Sequence, residues 1–163
     1  MNAFVYDDVI KDPIAYKKNI LSGVFQNAFD GVNLFKNVQP LTPRDEFVDF
    51  LMNEFSSVDL VVSWNFARKS PYMQDEPNFV HSDEMMGNLT AILYLNESPP
   101  EGDGTTLYDE DGKIMIVSQS KFNRAFVFNS DCLHSRNIYH NFGKGDDARL
   151  IQVVYLKLKD EKL

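Results

Sequence analysis

The chain has 163 residues, 44% of them hydrophobic and 13% aromatic, with 13 phenylalanines. That supports one packed domain and argues against disorder. A formal charge of −8 excludes a general basic surface for nucleic acid, and no apolar run approaches the roughly 20 residues of a membrane helix.

Taken in chain order, the first third reads as helical. Asp12-Pro13 is an N-cap followed by proline at the first helical position, and Gly23 is placed to end that helix. A second helix is expected from Thr42-Pro43-Arg44-Asp45, with Phe47, Phe50, Leu51 and Phe55 on one face. From Val58 the pattern changes to short β-rich runs near 60–67, 89–95, 105–108, 114–117, 125–128 and 150–158, separated by Pro, Gly and Asp turns. Strands this short and evenly spaced predict a sandwich or jelly roll. A single domain over 1–163 is expected, with helical support over about 1–57 and the β core over about 58–160. Cys132 is the only cysteine and the acidic start (Asp7-Asp8) is unlike a secretory signal. A cytoplasmic, reducing setting is therefore expected.

Chemistry enters at Val80-His81-Ser82-Asp83. On an extended segment, residues two apart point to one side, so an imidazole and a carboxylate can meet at one point. A second histidine would complete the two-histidine, one-carboxylate set that leaves metal positions open, as in non-haem iron(II) oxygenases. His134, after the apolar run 125–128, is a candidate for that role, and His140 competes with it. Each of these groups has a plainer reading as a surface or structural residue among many acids.

Arg149 opens the apolar run Leu150–Leu156, where alternation puts it on the face of Ile151, Val153 and Tyr155. A buried guanidinium needs an anion. Asp146 or Asp147 could supply it, and so could a carboxylate of a bound dicarboxylic acid, which a guanidinium grips with two hydrogen bonds. Thr90, Ile92 and Tyr94 share one face of the run 89–95. Tyr94 either assists Arg149 or is an ordinary core tyrosine. Asn65 and Arg68, on the run through Trp64 and Phe66, are candidates for a substrate-facing wall; Trp64 and Phe66 themselves read as packing.

From His81 to about Leu158 these pieces come in an order that resembles the 2-oxoglutarate/Fe(II) dioxygenase superfamily, nearest to its prolyl-4-hydroxylase-like branch. The matching pieces are His81-Ser82-Asp83, Thr90 to Asn96, Gly102-Asp103-Gly104-Thr105, Phe126-Val127-Phe128 leading to His134, and Arg149. Many relatives carry adjacent glycines where this chain has Gly102-Asp103-Gly104.

The resemblance implies a double-stranded β-helix core with flanking N-terminal helices. It implies Fe(II) held by His81, Asp83 and His134, and 2-oxoglutarate bound by Arg149 with Tyr94 and Thr90. It further implies O2 as co-substrate and oxidation of an unactivated C–H bond of a peptide or protein side chain or a small metabolite, with succinate and CO2 released. No membrane or general nucleic-acid partner is expected. A cupin-type metal protein without 2-oxoglutarate turnover and a purely structural domain remain the rivals. The first would not require Arg149 behind its metal, and the second would require neither group.

Overall fold

The computed structural model describes residues 3–77, 79–137 and 140–159; residue 160, the expected end of the core, lies outside them. The first helix, α1 (Pro13–Leu21), starts as expected: the Asp12 carboxylate accepts from the Ala15 N–H at 3.2 Å. The second, α2 (Glu46–Glu54), has its cap at Asp45, three residues past the expected Thr42. Asp45 accepts from the Val48 N–H at 2.9 Å, while the Thr42 hydroxyl donates to the Arg44 carbonyl. Phe47, Val48 and Leu51 form the buried face of α2. Phe50 and Phe55 pack edge-on against Tyr6 and Phe4.

Three strands interrupt the part read as helical: β1 (Ala3–Tyr6), β2 (Gln26–Phe29) and β3 (Leu34–Pro40). The β2–β3 turn is held by the Asp30 carboxylate, which accepts from the Val32 and Asn33 N–H groups at 2.8 and 2.6 Å. The later strands match the expected runs: β4 (Leu60–Ser70), β5 (Leu89–Tyr94), β6 (Gly104–Tyr108), β7 (Ile114–Gln119), β8 (Arg124–Asn129) and β10 (Arg149–Leu158). A further short strand, β9 (Leu133–Arg136), was not anticipated.

Among the described residues all the strand pairings are antiparallel. The larger sheet runs β1-β8-β5-β10-β4-β3-β2 and the smaller β7-β6-β9. This is the expected mainly-β jelly roll, with two helices covering one face of the larger sheet.

Alternation along the strands divides the interior in two. On the helix side Ala67, Ala91, Leu93, Val127, Leu150, Val154 and Leu156 pack against Ile20, Phe47 and Leu51. On the other side Phe66, Ile92, Tyr94, Phe126, Phe128, Ile151, Val153 and Tyr155 meet Leu107 of β6. Residues two apart share a face, so moving one strand by a single position would exchange these sets. Among the described residues no helix is long and apolar enough to cross a membrane.

Candidate metal centre

His81 and Asp83 lie on the long connection from β4 to β5, and His134 lies on β9. The chain brings them together by backbone pairing. The His81 N–H donates to the His134 carbonyl at 3.0 Å, and the His134 N–H donates back at 2.8 Å. The Asp83 N–H donates to Ser130, in the turn before β9, at 2.7 Å. Extended geometry at His81 then puts Asp83 on the same side, as its spacing implied.

Each histidine is also fixed in rotation. Nδ1 of His81 is 2.8 Å from the Phe79 carbonyl, and Nδ1 of His134 is 3.0 Å from the Cys132 carbonyl. A carbonyl only accepts, so Nδ1 carries a proton and Nε2 is turned inward, donating to Asp83 when the ring is charged and offering its lone pair to a metal when the ring is neutral. His81 Nε2 lies 3.4 Å from Asp83 Oδ1, and His134 Nε2 lies 3.1 Å from Asp83 Oδ2. The three ligand atoms fall within 4.8 Å of one another, the one such group among the described residues.

Burial works against the Asp83 carboxylate, but hydrogen bonds from His134 and His81 outweigh it and hold its pKa well below the usual range. The hydrogen bond to Asp83 raises the pKa of His81 against the effect of burial. Two neutral imidazoles and one anionic oxygen suit a divalent transition metal and leave one side of it open. His140 is exposed and stands apart, its carbonyl accepting from Arg136 at 3.3 Å.

The triad lines a cavity of about 120 Å³ together with Arg68, Thr90, Thr105, Arg136, Arg149 and Tyr155, among others. Arg149 is 3% exposed. Its protein counter-charge is Asp103, 3.7 Å from Nε, rather than Asp146 or Asp147, which are exposed on a short 3-10 turn. Tyr94 lies one layer behind the cavity wall, its hydroxyl 2.7 Å from Thr105 Oγ1.

Thr90, expected beside the co-substrate, lines the cavity and also reaches Asp83. Its hydroxyl lies 3.4 Å from Asp83 Oδ2 and 2.9 Å from Ser130 Oγ, because β5 sets it opposite the turn that holds Asp83.

The two residues proposed for a substrate wall separate. Arg68 lines the cavity, donates to Glu76 at 2.8 Å and stacks on Phe35 at 5.1 Å. Asn65 faces the other way, bonded to Thr42, Asp45 and Gln152 beneath the helices, so its expected substrate role is corrected. Neighbours on a strand take opposite faces, and odd parity here belongs to the helix side.

Glu76 and Arg136 were missed. Glu76 accepts from Arg68 and Arg136 at 2.8 Å each and from Ser70 at 2.9 Å. Burial, with Arg149 nearby, pushes Arg136 down to about 10 although Glu76 opposes the shift. The rule that joined His81 to Asp83 would have found Arg136, two residues past His134. Glu76 sits in an irregular segment that offers no such signal.

No protein-family model and no curated protein matches this chain. Solved structures do. HygX from Streptomyces hygroscopicus with nickel and 2-oxoglutarate bound superposes with TM-score 0.67 at 11% identity, covering 97% of this chain and 83% of that one. EctD from S. alaskensis with bound Fe gives TM-score 0.64 at 12% identity, covering 99% and 74%. A Pseudomonas putida prolyl-4-hydroxylase gives TM-score 0.62 at 16% identity, covering 95% and 92%. The chain therefore has the jelly-roll fold found in 2-oxoglutarate/Fe-dependent oxygenases.

Proposed function

We propose that this chain is an Fe(II)- and 2-oxoglutarate-dependent oxygenase of the prolyl-4-hydroxylase-like branch, one domain acting in the reducing cytoplasm. One observation carries the reading: a buried arginine whose guanidinium makes no hydrogen bond among the described residues shares a small cavity with a two-histidine, one-carboxylate set. Asp103 Oδ1, the atom paired with Arg149, is also buried without a hydrogen-bond partner. Orphaned polar atoms of this kind are rare in finished interiors and fit a site completed by a polar ligand.

His81, Asp83 and His134 would hold the iron, and Arg149 would bind the distal carboxylate of 2-oxoglutarate. Bound together, iron and 2-oxoglutarate supply the oxidising power, with O2 as the second co-substrate and succinate and CO2 as products. The chain's own residues orient and enclose. The carbonyls of Phe79 and Cys132 fix the imidazoles, Thr90 and Ser130 steady Asp83, and Phe66, Ile92, Ile151 and Val153 keep the cavity apolar between its charged ends. The substrate class follows from the resemblance alone: a C–H bond of a peptide or protein side chain or of a small metabolite. A cupin-type metal protein would leave Arg149 without a purpose.

Anaerobic titration with Fe(II) and then 2-oxoglutarate tests this. A metal-to-ligand charge-transfer band on adding 2-oxoglutarate is expected. Metal binding without that band overturns the reading in favour of the cupin-type protein.

A further inference from the structure

The proposed chemistry makes no use of Asp103, a carboxylate only 2% exposed on the turn before β6. Its backbone is fixed on both sides, donating to the Pro100 carbonyl at 3.2 Å and accepting from the Ser120 N–H at 2.7 Å. Gly104, next in the chain, has φ +149, and a Cβ there would meet the Ser118 carbonyl oxygen at 1.9 Å. The turn is thus pressed onto β7, which leaves the Asp103 side chain facing Arg149. At 3.7 Å the Nε–Oδ1 separation is an ion pair and longer than a hydrogen bond, and both atoms lack hydrogen-bond partners. A buried carboxylate without donors is costly, so stability alone does not account for it.

We infer that Asp103 is a positioning residue that limits the grip of Arg149 on the dicarboxylate co-substrate. It faces the Nε edge of the guanidinium and leaves the terminal nitrogens for a ligand carboxylate, while its charge offsets part of the attraction. This rests on the reading that the cavity takes 2-oxoglutarate.

The charges around the cavity agree. Apart from Asp83, whose charge would face the metal, Arg68, Arg136 and Arg149 stand against Glu76 and Asp103, which leaves one positive charge, a match for one distal carboxylate. Without Asp103 two would remain. The consequence is chemical: succinate keeps the same distal carboxylate as 2-oxoglutarate. A tighter hold on that group binds substrate and product alike, adds nothing at the reacting carbon, and slows release.

The test is anaerobic calorimetry on the full Fe(II)-loaded chain and on Asp103→Asn, which keeps the shape and removes the charge. Dissociation constants for both 2-oxoglutarate and succinate are expected to fall about fivefold or more, with Fe(II) affinity unchanged. Unchanged or weaker binding by the variant, with the wild type binding 2-oxoglutarate normally, overturns the role of Asp103 and leaves the functional reading standing. A wild type that binds no 2-oxoglutarate overturns both.

Should Asp103→Asn fail to fold, the wild type alone still decides. With Asp103 offsetting Arg149, 2-oxoglutarate should be preferred over its C5 amide by less than about tenfold. A larger preference overturns the inference.

Discussion

The two faces of the larger sheet each bury a polar cluster, and the clusters differ in one respect. On the helix side the Tyr16 hydroxyl donates to Gln152 Oε1 at 2.6 Å. The Gln152 amide donates to Asp45 and Asn65 at 2.9 Å each, and Asn65 donates to Thr42 and Asp45 at 2.8 and 3.0 Å. Those amides and that hydroxyl are paired, and the cluster ties α1 and the cap of α2 to β4 and β10. On the cavity side the Nε atoms of Arg68, Arg136 and Arg149 keep no hydrogen-bond partner, and the triad's inward nitrogens converge on a single carboxylate. A completed network stiffens a fold, whereas an incomplete one is what a ligand completes.

Breaking the cavity-side cluster should cost binding, and breaking the helix-side cluster should cost stability. The largest effect is expected from Asp83→Ala, which removes the only anionic ligand. Fe(II) affinity should fall by about a hundredfold or more, read by anaerobic titration, and 2-oxoglutarate-dependent succinate formation should stop. Retained metal binding would sink the assignment.

Next comes Arg149→Lys, which keeps the charge and loses the planar fork. Binding of 2-oxoglutarate should weaken roughly ten- to a hundredfold, with Fe(II) affinity measured without co-substrate unchanged. An earlier melt with normal 2-oxoglutarate binding would mean that Arg149 only pairs with Asp103.

On the opposite face, Asn65→Leu strands polar groups of Thr42, Asp45 and Gln152. Chemical denaturation should show a loss of about 1–3 kcal/mol, with both ligands binding as in the wild type.

Glu76 gives a smaller, pH-dependent effect. Burial opposes its charge, but Arg68 outweighs burial, helped by Ser70 and Arg136, so its folded pKa lies below the unfolded value. It therefore contributes stability above the unfolded value of about 4.3, and that contribution is lost as pH falls through the folded pKa. Melting curves of Glu76→Gln between neutral and acid pH should be flatter on the acid side than those of the wild type. Equal acid slopes would show that Glu76 adds nothing there. The smallest effect belongs to His140→Ala, whose Fe(II) titration should overlay the wild type; loss of metal would move the distal ligand from His134.

The expected site residues divide according to how local their placement is. His81 and Asp83, and Arg149 with Ile151 and Val153, were legible because two-residue alternation needs no knowledge of partners. The same rule, applied along β4, would have separated Asn65 from Arg68; grouping them by nearness in sequence ignored it. Strands β2 and β3 were illegible for a physical reason. Leu34-Phe35-Lys36-Asn37-Val38 does not alternate cleanly, and Asn37 adopts φ 54, a local break that pairing with β4 tolerates. The start of α2 went to Asp45 over Thr42 because the Asp45 carboxylate also holds Asn65 and Gln152 across the sheet. No local cap pattern contains that contact.

By itself the sequence determined the mainly-β class, the strand runs from Leu60 onward, and which residues could be ligands. Each of these follows from periodicity and side-chain chemistry, which act over a few residues. Only the tertiary structure decided that β9 forms and puts His134 beside His81 while His140 stays outside. It also chose Asp103 over Asp146 and Asp147 as the partner of Arg149, and turned Thr90 toward Asp83. Those choices depend on which distant strands lie side by side, and pairing of that kind is set by the packing of the whole sheet against its core.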